Sequence, residues 1–326
     1  MENLCIKNIN VNHINKLYKN LKVVIVFENK FNFKKDTIYF DKNSLKILKY
    51  INSGTYGDIH LCYYNNMLCV VKNIKHNNIT SKETIKYLNY SFFRENIIHS
   101  LLYCNIPKYI PQIYNIVKGI DDYKKSESIL LIMQKLDCDI YKFFENNKKS
   151  YIRELNMIGL IAHILSTFQN KFKLFLHNDL HAGNIMLLYS DKTVKTRVNK
   201  DFYLHNNYKL YFIDFGFCCV KINDLICVEN KKINVYNRGH DIRLCLISIL
   251  YHLNNNISLR LKTWLNKLFT PYTNTSKFKK LIHKDIYKAH LYFYDDVYEN
   301  IDENFYPENV LKYIIKELNA LRSVKN

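Results

Sequence analysis

The sequence predicts an α+β fold built from two lobes. Up to residue 134, short apolar runs alternate with polar residues at strand spacing, whereas apolar residues recur at helical spacing from residue 135 onward. A chain of 326 residues that is 48% hydrophobic can bury a large core and is long for a single lobe. We therefore expect an N-terminal extension of unknown role at residues 1–43, a strand-rich lobe at 44–134 and a helical lobe at 135–326.

The individual elements follow from the same periodicities. In the extension, apolar and polar residues alternate around Val23–Phe27 and Thr37–Phe40, which predicts two strands. A polar insertion between Tyr189 and Tyr208 links two further strands and is longer than a usual turn. Helices are predicted at 140–146, 151–171, 241–253, 258–269, 277–293 and 307–322.

Two short motifs carry the chemistry of the chain. In the run His177–Asn184, the carboxylate of Asp179 precedes the amide of Asn184 by five positions. In the run Ile213–Gly216, the carboxylate of Asp214 follows an apolar strand. Phosphoryl transfer from ATP requires a carboxylate that orients the attacking hydroxyl, together with oxygen ligands for Mg²⁺. These residues can supply both.

The two motifs resemble the H-R-D-x-x-x-x-N and D-F-G motifs of protein kinases. The resemblance implies a bilobal protein-kinase-like fold with ATP between the lobes. It also implies that Asp179 is the catalytic carboxylate and that Asn184 and Asp214 bind Mg²⁺.

The motif His177–Asn184 departs from the protein-kinase pattern at two positions. Asn178 replaces the arginine that meets an activation-loop phosphate in many kinases, and His181 replaces a lysine near the γ-phosphate. The form H-x-D-L-H-x-G-N is similar to haspin-like kinases and to aminoglycoside and choline phosphotransferases. Regulation by phosphorylation and the identity of the acceptor therefore stay open.

The same motif has a second interpretation, as a metal cluster of His177, Asp179 and His181. Their i, i+2, i+4 spacing fits neither one face of a helix nor a zinc ligand set with cysteines. The phosphotransfer interpretation is therefore favoured.

A glycine-containing run precedes these motifs. It resembles the glycine-rich loop of kinases of the casein-kinase branch, although Asn52 stands where the first glycine is expected. Glycines let backbone N–H groups approach phosphate oxygens, but two glycines between apolar runs also suit a plain hairpin turn. The resemblance implies contact with the nucleotide for Ile51, Gly54, Thr55, Tyr56, Gly57 and Ile59.

Two charged residues complete the implied nucleotide site. Lys72 ends an apolar run that resembles kinase strand β3, whose lysine contacts the α- and β-phosphates. Glu95 lies among apolar residues at helical spacing, as in the kinase helix αC whose glutamate pairs with that lysine. By sequence alone, each could instead be an ordinary surface charge.

The apolar run Ile129–Met133 predicts a buried strand, with Met133 at the position of the kinase gatekeeper. Gln134 and Leu136 then occupy the place of the kinase hinge, where backbone groups would hydrogen-bond adenine. Asp137 or Asp139 could reach the ribose, and each could equally cap the helix that starts at residue 140.

The likeness weakens after Asp214. The segment from Phe217 to Gly239 contains no Ala-Pro-Glu motif. Asp241, at the start of a predicted helix, resembles the kinase aspartate that anchors the catalytic loop, and it could also be an N-cap. Only 241 − 214 = 27 positions then separate the two aspartates, which is short for an activation segment with a substrate platform.

The formal net charge of +19 could indicate a nucleic-acid or membrane-surface partner. However, the lysines are scattered without a basic tract, and no nucleic-acid-binding motif occurs. The 27 tyrosines and few glycines are typical of an A+T-rich genome, such as that of a large DNA virus or a protist. No apolar run reaches the ~20 residues of a membrane span, and no cysteines form a C-x-x-C pair. We expect a soluble intracellular protein of undetermined oligomeric state.

The sequence therefore predicts an ATP-dependent phosphotransferase with ATP and Mg²⁺ as cofactors. The expected activity is that of a Ser/Thr protein kinase, with Asp179 and Lys72 as its catalytic residues and an unidentified protein substrate. A kinase for small molecules and a non-catalytic binding module of the same fold are the alternatives.

Overall fold

The computed structural model describes residues 25–40, 43–53, 57–74, 95–123, 125–172, 174–222, 225–227, 237–273 and 302–323. The chain divides into two compact units. The first contains the residues up to Leu136 together with Ile213–Gly216, so Asp214 belongs to it. The second contains Asp137–Phe212 and the residues from Phe217 onward. The predicted α+β class is confirmed, with a strand-rich N-terminal part and a helix-rich C-terminal part.

The first unit is built on a seven-stranded sheet. Its strand order is β1-β6-β7-β5-β4-β3-β2, in which β1 and β6 are parallel and all other neighbours are antiparallel. A helix, α1, covers residues 95–105 of the described part. The strands are β1 Ile25–Phe31, β2 Thr37–Phe40, β3 Asn43–Ser53, β4 Gly57–Tyr64, β5 Met67–Ile74, β6 Ile113–Asp121 and β7 Ser126–Gln134.

Two strands of the predicted extension, β1 and β2, are part of this sheet. Phe31, Phe33 and Ile38 from this region pack against one apolar face of the central strands, which includes Leu45 and Val71. Burial of such side chains is worth about 1.5–3 kcal/mol each, so residues 25–40 stabilise the unit.

In its described residues, the second unit combines five helices with two three-stranded sheets, ordered β11-β10-β8 and β13-β12-β9. Its strands are β8 Cys138–Asp139, β9 Leu174–Leu176, β10 Ile185–Arg197, β11 Tyr203–Phe212, β12 Cys219–Ile222 and β13 Leu225–Cys227. Its helices in the described part are α2 Ile140–Asn146, α3 Tyr151–Lys171, α4 His240–His252, α5 Leu259–Thr273 and α6 Pro307–Ser323, with 3₁₀ turns at Ala182–Asn184 and Glu303–Phe305.

Helix boundaries agree closely with the periodicity of the sequence. Helices α2 and α3 have the predicted limits. Each of the other three described helices of this unit begins and ends within a few residues of its own predicted limits. The helix predicted at 277–293 lies outside the described residues. None of the described helices is long and apolar enough to cross a membrane.

Helix α3 forms the centre of the second unit. A side chain added at Gly159 would place its Cβ 2.9 Å from Ile314 Cγ2 on α6 and 3.2 Å from Leu204 Cδ2 on β11. The glycine therefore allows α6 and β11 to approach α3 closely, which fixes the three elements against each other.

The insertion between Tyr189 and Tyr208 is not an irregular loop. Strands β10 and β11 continue through it as an antiparallel ribbon, with a register shift between Tyr189 and Val194. The Val198 N–H donates to the Phe202 carbonyl and closes the turn. Polar residues alternate with buried ones along β11, so the polar composition reflects one exposed strand face rather than a loop.

Candidate active site

The motif around Asp179 lies between strand β9 and the 3₁₀ turn Ala182–Asn184. Its backbone is held by Asp241 from helix α4. The His177 N–H donates to Asp241 Oδ2 at 2.8 Å, and the Asn178 N–H donates to Asp241 Oδ1 at 2.9 Å. One carboxylate thus fixes the two residues immediately before Asp179, and such charge-assisted hydrogen bonds are the strong ones.

Helix α4 begins at His240, and its N-cap is Gly239. Asp241 is therefore not the N-cap, and the interpretation of this residue as an anchor of the loop is confirmed by its two hydrogen bonds. Asp241 is fully buried. Burial raises its pKa from 3.8 to about 6, although the hydrogen bonds from His177 and Asn178 oppose the rise.

Asn178 connects the loop to the segment that follows Gly216. Its backbone has φ 63°, a left-handed conformation that asparagine adopts more readily than most residues. Its Nδ2 donates to the Phe217 carbonyl at 3.0 Å and to Cys219 Sγ at 3.1 Å. A neutral amide therefore holds this segment through a backbone carbonyl.

Asp179 and Asn184 are joined directly. Asn184 Nδ2 donates to the Asp179 carbonyl at 2.8 Å and to Asp179 Oδ2 at 3.1 Å. Because the amino group of Asn184 faces Asp179, its Oδ1 faces away from that carboxylate. The side chain of Asp179 is 37% exposed.

His181 lies beside this pair in a defined orientation. The Gly183 N–H donates to His181 Nδ1 at 3.1 Å, so the neutral ring carries its proton on Nε2. Nε2 lies 4.0 Å from Asp179 Oδ2. The ring stacks on Tyr141, whose importance the sequence did not reveal, with centroids 6.4 Å apart.

A second set of contacts supports the turn after His181. The Ala182 N–H donates to Ser248 Oγ at 2.9 Å, which ties the turn to helix α4. Burial raises the pKa of Tyr141 to about 12, although a hydrogen bond with Ser248 opposes this.

In the described part of the chain, no group of three or more His, Cys, Asp or Glu side chains could hold a metal ion.

The first unit holds Lys72 in a network of charges. Lys72 Nζ lies 2.8 Å from Glu95 Oε1 and 3.0 Å from Oε2, so the pair is bidentate, and 3.6 Å from Asp214 Oδ1. Lys72 is 6% exposed and Glu95 3% exposed, so neither is the surface charge that the sequence alone allowed. The side chain of Asp214 is 34% exposed.

Electrostatics keep Lys72 charged. Burial lowers the pKa of Lys72, but the carboxylates of Asp214 and Glu95 outweigh burial and leave the pKa above its usual value. Breaking such a buried pair by removing one partner costs about 3–5 kcal/mol.

The backbone at Asp214 is left-handed, with φ 61°. Its neighbour Phe215 is fully buried and meets the ring of His99 edge-on, with centroids 5.4 Å apart. His99 lies on α1, four residues after Glu95, and its Nε2 donates to the Pro111 carbonyl at 2.9 Å. Burial lowers the pKa of His99 to about 4, so the ring is neutral. The residue after Asp214 therefore contacts a residue one helical turn after Glu95, and the sequence did not indicate this contact.

The predicted glycine loop is described only at its ends, because Gly54, Thr55 and Tyr56 lie outside the described residues. Ser53 pairs with Asp58 in the hairpin of β3 and β4, and Ser53 Oγ donates to Asp58 Oδ1 at 2.8 Å. Ile51 on β3 is 45% exposed. Ile59 lies directly opposite Lys72 in the pairing of β4 with β5.

Gly57 starts strand β4 opposite Ile74. A Cβ at Gly57 would lie 2.7 Å from the backbone oxygen of Asn73, so a larger residue would push the two strands apart.

The predicted hinge residues follow strand β7. The Gln134 N–H donates to the Gln112 carbonyl at 2.8 Å, and Gln134 Oε1 accepts from the Gln112 N–H at 3.2 Å. The Gln134 N–H is thus engaged within the protein.

The two aspartates that follow the predicted hinge have structural roles. Asp139 caps helix α2, since its Oδ1 accepts from the Lys142 N–H at 2.8 Å. Asp137 Oδ2 accepts from the Tyr189 N–H at 2.8 Å. Of the two interpretations left open by the sequence, the cap is thus confirmed for Asp139.

No protein-family model matches the chain. A solved crystal structure of a kinase domain is similar, with 16% identity and a TM-score of 0.43, over 82% of this chain and 94% of that one. A protein of Buchnera aphidicola (subspecies Baizongia pistaciae) named as a candidate chaperone, PpiD, is 25% identical over 311 residues. That match covers 81% of this chain and 54% of the relative, so the chain spans about half the length of the curated protein it matches.

Proposed function

We propose that the chain is an ATP-dependent phosphotransferase that moves the γ-phosphoryl group of MgATP to a hydroxyl, expected to be Ser or Thr of a protein. The observation that carries the proposal is the buried amine of Lys72, held 2.8 Å from Glu95 and 3.6 Å from Asp214. Phosphoryl transfer needs a fixed cation at the phosphates, and a lysine–glutamate pair of this kind is required in protein kinases.

Asp179 orients the attacking hydroxyl and accepts its proton. Its position is fixed from both sides, because Asp241 holds the two preceding residues and Asn184 donates to its carboxylate. A positioned general base of this kind contributes about 10²–10⁴-fold to the rate.

Asn184 and Asp214 are the proposed ligands of Mg²⁺, since amide and carboxylate oxygens form a donor set that this cation prefers. When bound, Mg²⁺ neutralises charge on the phosphates. Lys72 holds the α- and β-phosphates, and the backbone near Gly57 covers the nucleotide.

The charge network favours catalysis over a non-catalytic binding module. Replacing a buried ion pair by apolar residues of similar volume is often neutral or stabilising, so the stability of the fold does not by itself account for Lys72 and Glu95. Asp179 and His181 are each about one third exposed beside each other, as a site that meets a substrate requires.

A small-molecule acceptor is the second candidate, and one observation favours it. Asp241 binds the loop that carries Asp179, so it is the aspartate to which the spacing is counted. Only 27 positions separate it from Asp214. So short a segment leaves little chain for docking a protein substrate. A panel of protein and small-molecule acceptors with labelled ATP distinguishes the two, by which class becomes labelled.

The central test compares phosphate transfer by the wild type, Lys72→Met and Asp179→Asn, with Lys49→Met as a control at an exposed lysine. We expect both site variants to lose at least about a hundredfold in rate and the control to match the wild type. Because Lys72→Met leaves Glu95 buried without its cation, the double variant Lys72→Met/Glu95→Gln should regain stability but not activity. Equal activity in all variants would reject the proposal.

A further inference from the structure

The outer part of the β10–β11 ribbon has no role in the proposed phosphoryl transfer. Beyond the register shift after Tyr189, the two strands continue through the pairs Val194–Asn206 to Arg197–Tyr203. In the described part of the chain, β8 is the only other strand paired with the ribbon, and it pairs with Met186 and Leu187 before the shift.

One face of this ribbon packs on other elements of the second unit. Thr196, Leu204 and Tyr208 are buried, and Leu204 packs near Gly159 on helix α3. The His205 N–H donates to Asn156 Oδ1 at 3.2 Å. The ribbon is therefore held on helices and presents its opposite face as a preformed surface.

The opposite face combines cations with aromatic rings. Lys195 pairs directly with His205, and Arg197 pairs directly with Tyr203, and all four side chains are exposed. Arg322 from helix α6 lies at the edge of the ribbon, where its Nη2 donates to the Tyr203 carbonyl at 3.4 Å and its guanidinium lies over the ring of buried Phe202, 4.8 Å from the ring centroid. Burial lowers the pKa of His205, and the charges of Arg322 and Lys195 lower it further.

The charge of the ribbon is unbalanced. Residues 188–209 contain five lysine or arginine residues and two aspartates. Asp191 lies in the register shift and Asp201 in the turn, and neither belongs to the strand pairs that carry the rings. Like charges held this close repel one another, so an anionic partner that contacts several of them gains affinity.

The spacing of the rings indicates which anion fits. Tyr203 and His205 are two residues apart on one strand, so their side chains leave the sheet about 6.8 Å apart. This is twice the rise of about 3.4 Å per nucleotide in a stacked strand, so one base can lie between the two rings. Cations that contact the backbone next to rings that stack on bases are the general means of binding single strands.

We propose that this face of the β10–β11 ribbon, which we call the ribbon face (Lys195, Arg197, Tyr203 and His205), binds single-stranded nucleic acid. The cations contact phosphates, and the two rings stack on bases. The inference does not rest on the proposed phosphotransferase activity, so either can fail alone.

The test measures fluorescence anisotropy of a labelled 12-nucleotide single strand with the full chain at several salt concentrations. The charge variant is Lys195→Glu/Arg197→Glu, and the ring variant is Tyr203→Ala/His205→Ala. The control, Lys46→Glu/Lys49→Glu, makes the same charge change at exposed lysines of the first unit. Thermal melting verifies that each variant is folded.

We expect the charge variant to bind at least about tenfold more weakly and to reduce the slope of log K against log salt by about 0.7 for each phosphate that it no longer neutralises. The ring variant should bind roughly five- to a hundredfold more weakly with an unchanged salt slope. The control should bind like the wild type. An equal loss of affinity in the control variant, or full affinity in the ring variant, would overturn the proposal. Competition by a polyglutamate peptide as effective as that by the oligonucleotide would overturn it in favour of an acidic protein partner.

Discussion

Replacing Asp241 by asparagine should slow phosphoryl transfer without unfolding the protein. The two oxygens of Asp241 accept the N–H groups of His177 and Asn178 at 2.8 and 2.9 Å. Asparagine offers one oxygen and one amino group, so one of the two N–H groups then faces a donor. The loop that carries Asp179 must shift to relieve that contact.

Two energies oppose each other in this variant. A buried backbone N–H without an acceptor costs about 1–3 kcal/mol. Against this, the pKa of Asp241 rises from 3.8 to about 6, which corresponds to about 3 kcal/mol by which the folded protein disfavours the ionised carboxylate. Asparagine removes that charge, so above pH 6 the free energy of unfolding should change by at most about 2 kcal/mol. A displacement of about 1 Å at Asp179 can nevertheless cost about 10²-fold in kcat.

The sign of the pH dependence gives a second readout of the same variant. Because the folded protein holds a proton on Asp241 more tightly than the unfolded chain does, the contribution of this group to stability is complete below pH 3.8 and is lost as the pH rises through about 6. The asparagine variant should lack that loss, so its stability relative to the wild type should rise between about pH 4 and pH 6.

The assay combines urea unfolding at pH 5 and pH 7.5 with steady-state kinetics for ATP. Asp191→Asn, at an exposed aspartate, is the matched control. We expect kcat of Asp241→Asn to fall about a hundredfold, with a much smaller change in KM for ATP. A wild-type kcat would refute the role of Asp241 in placing Asp179, and a loss of more than about 4 kcal/mol in stability would refute the energy balance.

Three further predictions concern stability and are measured by urea unfolding. Asn178→Gly keeps the left-handed backbone but removes two side-chain hydrogen bonds, so it should cost about 1–2 kcal/mol, and an unchanged stability would show that those bonds contribute nothing. Gly57→Ala should cost about 1–3 kcal/mol, because its Cβ would lie 2.7 Å from the Asn73 carbonyl; a neutral result would mean that the strands separate freely. His99 has a pKa of about 4 in the folded protein, so stability should decline as the pH falls from 6.5 toward 4. The variant His99→Gln should show a smaller decline. An equal decline in the variant would mean that other groups cause it.

The sequence predicted most of the local structure correctly, for a physical reason. Helix limits depend on apolar spacing and on capping residues a few positions away, and α3 therefore has the limits that its periodicity indicates. The sequence predicts a polar insertion that links two strands between Tyr189 and Tyr208, because the exposed strand face of this ribbon is polar. Strand pairing over that distance is set by the partner strand and by the helices beneath it, which the local pattern does not encode.

The chemical residues divide in the same way. The sequence alone determined which residues are candidates for the chemistry, because Asp179, Asn184 and Asp214 stand in motifs that can be recognised within a few positions. It could not decide whether Lys72 is one more surface lysine. That decision comes from its contact with a residue 23 positions away and from the burial of both partners.

Other contacts of the site are more distant still, and only the tertiary structure reveals them. Asp241 reaches His177 and Asn178 across 64 and 63 positions, and the ring of His99 meets Phe215. The sequence by itself thus determined the elements and the candidate reactive side chains, since both depend on neighbours along the chain. The tertiary structure decided which charges are buried, paired and held in place, because burial and pairing depend on residues that only folding brings together.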